Sequence, residues 1–304
     1  MATRHALVSL SGATAGGLPV AEVRRRSFGR NFGDARVCLR ARSKDVGMAA
    51  EYEQGTPSWV DLGSTDVDGS VAFYGRLFGW TDEDLGPDAG GYRMFRKDGK
   101  LVAGLGPATD VARGSAWTTY FAANDADDIM AKVAEHGGTV VVPPMDVMGQ
   151  GRMAVFTDPE GAFFSVWQPL TFAGFELADE PGSVTWNELM TSDVDAAKVF
   201  YREVFGVGMR DVSMAEGMTY TLLEAEGRPV AGALPIDAAW GPMPSHWSVY
   251  FAVDDCDAAY AKALELGATK VMPPEDSAAG RFAILKDPQG ATFSVIRNNP
   301  DFSI

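Results

Sequence analysis

Two carboxylates stand at matched places in the chain. Asp61 follows Trp59 by two residues, and Glu188 follows Trp186 by two. Each pair lies in an alternating apolar stretch that reads as a strand, so each indole shares a face with its acid. A carboxylate buried without a partner is costly, and it takes a proton, meets a cation or reaches water. Arg152 and Arg281, which are also duplicated, are the expected counter-charges. Two uses stay open: an internal ion pair closing a barrel end, or a general base or hydrogen-bond anchor for a ligand. His246 breaks the symmetry, because Ala116 stands at its counterpart. With Glu188 it could form an acid–base pair near neutral pH. It also follows Pro242-Met243-Pro244 at a strand mouth, where a histidine serves equally well as a cap. If one copy alone is active, this residue favours the second.

These matches belong to a longer duplication. Trp59 pairs with Trp186, Phe73-Tyr74 with Phe200-Tyr201, Trp117 with Trp247, and Asp158-Pro159 with Asp287-Pro288, at an offset drifting only from 127 to 130 residues. A period of this length is a duplicated domain rather than a solenoid repeat. The expected organisation is an extension over 1–50 that is disordered, a first domain over 51–172 and a second over 180–301.

Charge is distributed unevenly. Residues 1–47 carry nine Lys or Arg against three acids, and the remainder carries 17 basic against 38 acidic residues. An acidic body repels phosphate backbones and anionic lipid, so nucleic acid and membrane are not expected partners. The leading segment is rich in Arg, Gly and Ser, a composition shared by targeting peptides. A start of translation at Met48 is the preferred reading. The two cysteines, Cys38 and Cys256, make neither a disulfide framework nor a metal spacing, which fits a reducing, cytoplasmic setting.

Each copy divides again into two modules of one strand, one helix and three strands. In the first, Trp59–Thr65 is a strand and Asp68–Gly79 a helix with its apolar stripe at Val71, Phe73, Tyr74, Leu77 and Phe78, capped by Asp66 or Asp68. Strands follow through Tyr92–Phe95 and Leu101–Leu105. The second half has a strand at Trp117–Ala123, a helix at Ala126–His136 and a strand at Thr139–Val142. It closes with a pair around the turn Asp158-Pro159-Glu160-Gly161. Phe164, Val166, Phe293 and Val295 are expected under the helices. The opposite face then collects Trp59, Asp61, Thr118, Tyr120, Phe163, Ser165 and Trp167 in copy one. Copy two offers Trp186, Glu188, His246, Ser248, Tyr250, Ser294 and Ile296. Aromatic walls with a few polar groups suit a small-molecule pocket, although any one of these rings could simply fill a core.

Four such modules, paired two and two, resemble the vicinal oxygen chelate superfamily of glyoxalase I, bleomycin-resistance proteins and extradiol dioxygenases. The residues carrying the resemblance are T/S-D-V-D, then four intervening residues and F-Y, at Thr65–Tyr74 and Ser192–Tyr201, Y-F-x-x-x-D at Tyr120–Asp125 and Tyr250–Asp255, and D-P-x-G-A-x-F-S-V at 158–166 and 287–295. Within it, the chain looks most like tandem glyoxalase-like proteins of actinobacteria. The resemblance implies an α+β fold with two half-open barrels. It also implies a divalent metal held at positions that here are Trp59, Thr118 and Ser165, or Trp186, Ser248 and Ser294. A further ligand belongs on the strands 101–107 and 229–235, which contain no Asp, Glu, His or Cys. Indoles and hydroxyls do not hold a catalytic transition ion, so no metal and no other cofactor are expected.

The leading expectation is therefore a metal-independent, glyoxalase-like protein that binds a small, partly aromatic organic molecule, as a monomer or homodimer. Its binding residues would be Trp59, Thr118, Tyr120, Ser165, Trp167, Trp186, Ser248, Tyr250, Ser294, Arg152 and Arg281. The rival is an enzyme of the same fold that uses Glu188, His246 or Asp61 for proton transfer, isomerisation, lyase or hydroxylation-related chemistry. A metal-dependent lyase or dioxygenase would need relocated ligands.

Overall fold

The computed structural model describes residues 52–302 apart from 110–111, 216–217 and 238–241. The expectations for residues 1–50, including the start at Met48, lie outside the described residues. Module one is β1 (Pro57–Ser64), α1 (Val67–Phe78), β2 (Thr81–Asp84), β3 (Arg93–Lys97) and β4 (Lys100–Pro107). Module two is β5 (Ala116–Ala122), α2 (Ala126–Glu135), β6 (Thr139–Val147), β7 (Gly151–Thr157) and β8 (Phe163–Pro169). Module three is β9 (Val184–Thr191), α3 (Val194–Phe205), β10 (Gly208–Ala215), β11 (Met218–Ala225) and β12 (Arg228–Pro235). Module four is β13 (His246–Ala252), α4 (Cys256–Glu265), β14 (Thr269–Ser277), β15 (Gly280–Lys286) and β16 (Thr292–Asn298). The fold is α+β, as four βαβββ modules.

Local chemistry sets the helix ends. Asp66 is the N-cap of α1, its carboxylate accepting from the Gly69 amide at 3.0 Å, and Asp193 does the same for α3 through Ala196. Gly79 and Gly206 then end these helices in the left-handed conformation, which a residue without Cβ adopts freely. β6 runs five residues past the expected Val142, through Pro143-Pro144. Its register slips between Val142 and Met145, and it lies at the edge of its sheet, where a missing amide donor is tolerated.

Modules one and two share one eight-stranded sheet, ordered β2-β3-β4-β1-β5-β8-β7-β6. Modules three and four build the other, ordered β10-β11-β12-β9-β13-β16-β15-β14. Each sheet is joined at its centre by an antiparallel pair, β1 with β5 and β9 with β13. The helices fill the space between the sheets, and they pack crosswise. Phe73, Tyr74, Leu77 and Phe78 of α1 share a core with Phe251 of β13 and with Phe293 and Val295 of β16. Phe200, Tyr201, Val204 and Phe205 of α3 share the other core with Phe121, Phe156, Phe164 and Val166. Phe164, Val166, Phe293 and Val295 thus lie under helices, as their alternation requires.

This packing explains the F-Y and D-P motifs. Trp117 Nε1 donates to Tyr74 OH at 2.9 Å, and Tyr74 donates to Asp287 Oδ2 of the opposite copy at 2.9 Å. Reciprocally, Trp247 donates to Tyr201 at 2.9 Å and Tyr201 to Asp158 Oδ2 at 3.1 Å. Burial raises the pKa of Asp158 and of Asp287 above the ordinary carboxylate value, and the turn amides and then the phenols pull it back down. A buried phenol needs a partner, so these relays fix the register of the two copies. No helix among the described residues is long and apolar enough to cross a membrane.

Candidate functional site

The sheet faces turned away from the helices carry the duplicated acids. In copy one, Asp61 of β1 stands opposite Thr118 of β5 and beside Gly104 of β4. Tyr120 OH donates to Asp61 Oδ2 at 2.7 Å, and Tyr92 OH donates to the same oxygen at 3.3 Å. Trp59 Nε1 donates in turn to Tyr92 OH at 3.2 Å. Copy two repeats the cluster. Tyr220 OH donates to Glu188 Oε2 at 2.9 Å, Tyr250 OH to Glu188 Oε1 at 3.0 Å, and Trp186 Nε1 to Tyr220 OH at 2.7 Å. Each cup therefore has an indole, a phenol, a carboxylate and a second phenol in series.

Tyr92 and Tyr220 escape a reading by strand alternation, because they reach in from the outer hairpin rather than standing on β1 or β5. They cross glycines to do so. A Cβ on Gly104 would overlap the Tyr92 hydroxyl, and one on Gly232 would overlap the Tyr220 ring and hydroxyl. The spacing carries the signal: each tyrosine precedes its glycine by twelve residues in both copies.

Burial dominates the electrostatics. It raises Asp61 to about 6, opposed by the bonds from Tyr120 and then Tyr92, and these are the groups that act on it. Burial likewise raises Glu188, opposed by Tyr220 and Tyr250. The four phenols are pushed well above their usual value by burial and then by the adjacent acid, so they stay protonated and act as donors.

Arg152 and Arg281 are not the counter-charges expected of them. Arg152 donates to Asp127 of α2 at 2.6 Å, and Arg281 clasps Asp257 of α4 at 2.6 and 2.8 Å. Arg152 shares a strand face with the core residues Ala154 and Phe156, so it points to the helix side. β7 is also three strands from β1, about 14 Å at the usual spacing. An internal ion pair closing the barrel is thereby excluded, as is a place for these arginines on the cup face. His246 is not joined to Glu188 either. It stands opposite Met190 on β9, and its Nδ1 lies 2.9 Å from the Pro244 carbonyl oxygen. Cys256 is buried and its thiol is pushed up to about 12, first by desolvation and then by Asp257.

The remaining expected residues do line the cups. Ser165 pairs with Tyr120 in parallel register, and its buried hydroxyl bears on the Tyr120 phenol. Ser294 pairs with Tyr250 in the same way and is buried. Ser248 stands opposite Glu188 and is half-buried. Trp167 donates to the Phe172 carbonyl at 2.7 Å. Phe172 lies just past β8, in the connection between the copies. Its ring meets Trp59 edge-on at 5.0 Å and Trp167 at 5.7 Å, roofing cup one.

The donor set does not fit the metal of the resembling family. Each cup offers one carboxylate, already engaged by phenols, with hydroxyls and an indole at the family's ligand positions. At the place beside the acid there is a glycine covered by a tyrosine. Among the described residues, no three His, Cys, Asp or Glu side chains come together as a cage.

With this geometry in hand, comparison with known proteins places the chain. Residues 56–166 and 182–295 each match the Glyoxalase/Bleomycin resistance protein/Dioxygenase superfamily, to which the chain belongs. It is 44% identical over 260 residues to the anthracycline biosynthesis protein DauV of a Streptomyces species, covering 81% of this chain and 94% of that protein. It is 41% identical over 257 residues to the putative glyoxylase CFP32 of Mycobacterium bovis, covering 83% and 98% respectively. Among solved structures, the Mn(II)-bound glyoxalase of Novosphingobium aromaticivorans aligns with a TM-score of 0.54 at 22% identity, over 80% of this chain and 82% of that one. At that identity the likeness is one of fold.

Proposed function

We propose that the chain is a metal-independent, glyoxalase-fold protein that binds a small, partly aromatic organic molecule in its cups and sequesters or protects it in the cytoplasm. The observation that carries this reading is the duplicated indole–phenol–carboxylate–phenol floor, set among aromatic walls and lacking a chelating set. Concave aromatic surfaces with a few fixed polar groups favour planar organic ligands. A relative named for anthracycline biosynthesis supports an aromatic ligand. A hydroxylated anthraquinone is a suitable probe, titrated into the protein while tryptophan fluorescence is followed. Saturable quenching with recovery of the unaltered probe is expected, and Trp59→Ala and Trp186→Ala would assign it to a cup. Absence of saturable quenching would overturn the reading.

One observation favours catalysis as a second reading. A carboxyl group raised to about 6 can give and take a proton near neutrality. Conversion of a bound probe that Asp61→Asn abolishes would support that use over sequestration.

A further inference from the structure

A cleft of about 400 Å³ lies at the corner of copy two where the β14–β15 hairpin meets the end of β16. Arg281 and Arg297 line it, together with Ser277, Asn298 and Asn299. The two arginines stand opposite each other on β15 and β16, on the sheet face shared by the core residues Ala283, Phe293 and Val295. They therefore lie on the helix side, apart from cup two.

The same corner of copy one is built differently. Register matches Arg152 and Gln168 to Arg281 and Arg297, Val147 to Ser277, and Pro169 to Asn298. Gln168 has a structural task, since its Oε1 accepts from the Ala126 amide at 3.0 Å. A guanidinium has no acceptor, so Arg297 cannot take over that task. Pro169 and the exposed Leu170 give way to Asn298 and Asn299. Their side-chain amides donate to Thr185 Oγ1 at 3.0 Å and to the Ala278 carbonyl at 3.1 Å, which fixes the rim.

The charges inside the cleft are unequal. Arg281 is spent: Asp257 accepts from Nε and Nη2 at 2.6 and 2.8 Å, and Asp276 lies 3.3 Å from Nη1. Arg297 has no ion pair or hydrogen bond among the described residues. Its charge reaches the Asp257 carboxyl, which is held below its ordinary value first by Arg281 and, more weakly, by Arg297. The chain has 41 acids for 26 Lys and Arg, so partners are plentiful, yet no described carboxylate closes on this fork. A planar guanidinium meets a carboxylate or phosphate through two parallel hydrogen bonds, and a cleft of this volume accommodates one small molecule.

We infer that this corner of copy two binds a small organic oxyanion, a carboxylate or a phosphate monoester, clasped by the Arg297 guanidinium between Ser277 and Asn299. The site is separate from the cups, and either can fail without the other.

Three probes share one ring and differ in the head group: benzoate, phenyl phosphate and benzyl alcohol. Their binding to the full chain is measured by calorimetry at pH 7.5 and low salt. At least one anion is expected to bind saturably and about tenfold more tightly than the alcohol, and the preferred head tells carboxylate from phosphate. Arg297→Gln, which copies the residue at the matching place in copy one, should remove that advantage without changing the unfolding temperature. Arg297→Lys should keep part of it, because an ammonium retains the charge and loses the fork. Equal binding of the alcohol and the anions would overturn the inference, as would an anion preference that survives Arg297→Gln. Failure of both anions to bind would overturn it and leave the reading of the cups untouched.

Discussion

The two cups have the same floor and different use of it. Both set a carboxylate between two phenols and tie one phenol to an indole. In the first, the shorter Asp61 leaves an oxygen vacant beneath a roof made by Phe172. In the second, Glu188 spends both oxygens on Tyr220 and Tyr250, and Trp186 is more exposed than Trp59. A single methylene thus separates a carboxylate with one oxygen left unbonded from one with both oxygens taken. Duplication preserved the scaffold, while the side chains that decide vacancy diverged.

The strongest way to break this comparison is to disturb the crossing glycines. Gly232→Ala should cost about 2–5 kcal/mol, since the added methyl overlaps several atoms of a buried tyrosine and unseats a partner of Glu188. Gly104→Ala should cost less, because Tyr92 keeps more exposed surface than the buried Tyr220. Urea unfolding of the two variants measures the difference, and equal losses would contradict the asymmetry.

Next in size is the charge of Asp61. Its folded value of about 6 lies above the unfolded one, so the native state holds more protons between roughly pH 4 and 6. Its contribution to stability is full below the unfolded value and is lost as pH rises through about 6. Asp61→Asn should therefore stabilise the protein at pH 8 by up to ~3 kcal/mol, with the gain vanishing near pH 4. Thermal unfolding at the two pH values checks the sign.

Smaller effects sharpen the picture. Phe172→Ala should remove about 1–2 kcal/mol and increase the quenching of tryptophan fluorescence by acrylamide, as Trp59 and Trp167 become as open as Trp186. Arg152→Ala breaks an exposed ion pair on the helix side and should leave both stability and probe binding nearly unchanged. A larger loss of binding would return that guanidinium to the cup.

Much of the fold was legible because it is written in local chemistry met twice: aspartate caps, glycine stops and the D-P turns. The end of β6 was not, since Pro143-Pro144 argues against a strand until the sheet places it at an edge. At the site, alternation along β1, β5 and β8 correctly turned Trp59, Asp61, Tyr120 and Ser165 to one face. The same alternation, applied to β7, turns Arg152 the other way beside Ala154 and Phe156, and charge complementarity with Asp61 misleads there. Tyr92 and Tyr220 come from across the sheet over a glycine. Periodicity within one strand cannot reach them, although the repeated spacing of twelve residues can. Phe172 lies past the last repeated motif, and Phe302 follows it at the same offset of 130 residues that separates Trp117 from Trp247.

The central physical claim is that the acid of cup one is held by the phenols of Tyr120 and Tyr92, with no positively charged side chain among the described residues paired to it. Carbon-13 NMR of the aspartate carboxyls, followed through a pH titration with Asp61→Asn for assignment, tests this directly. The account predicts that Asp61 titrates at about 6. A midpoint at or below the ordinary aspartate value, near 4, would reveal a positive charge held against it and contradict the account.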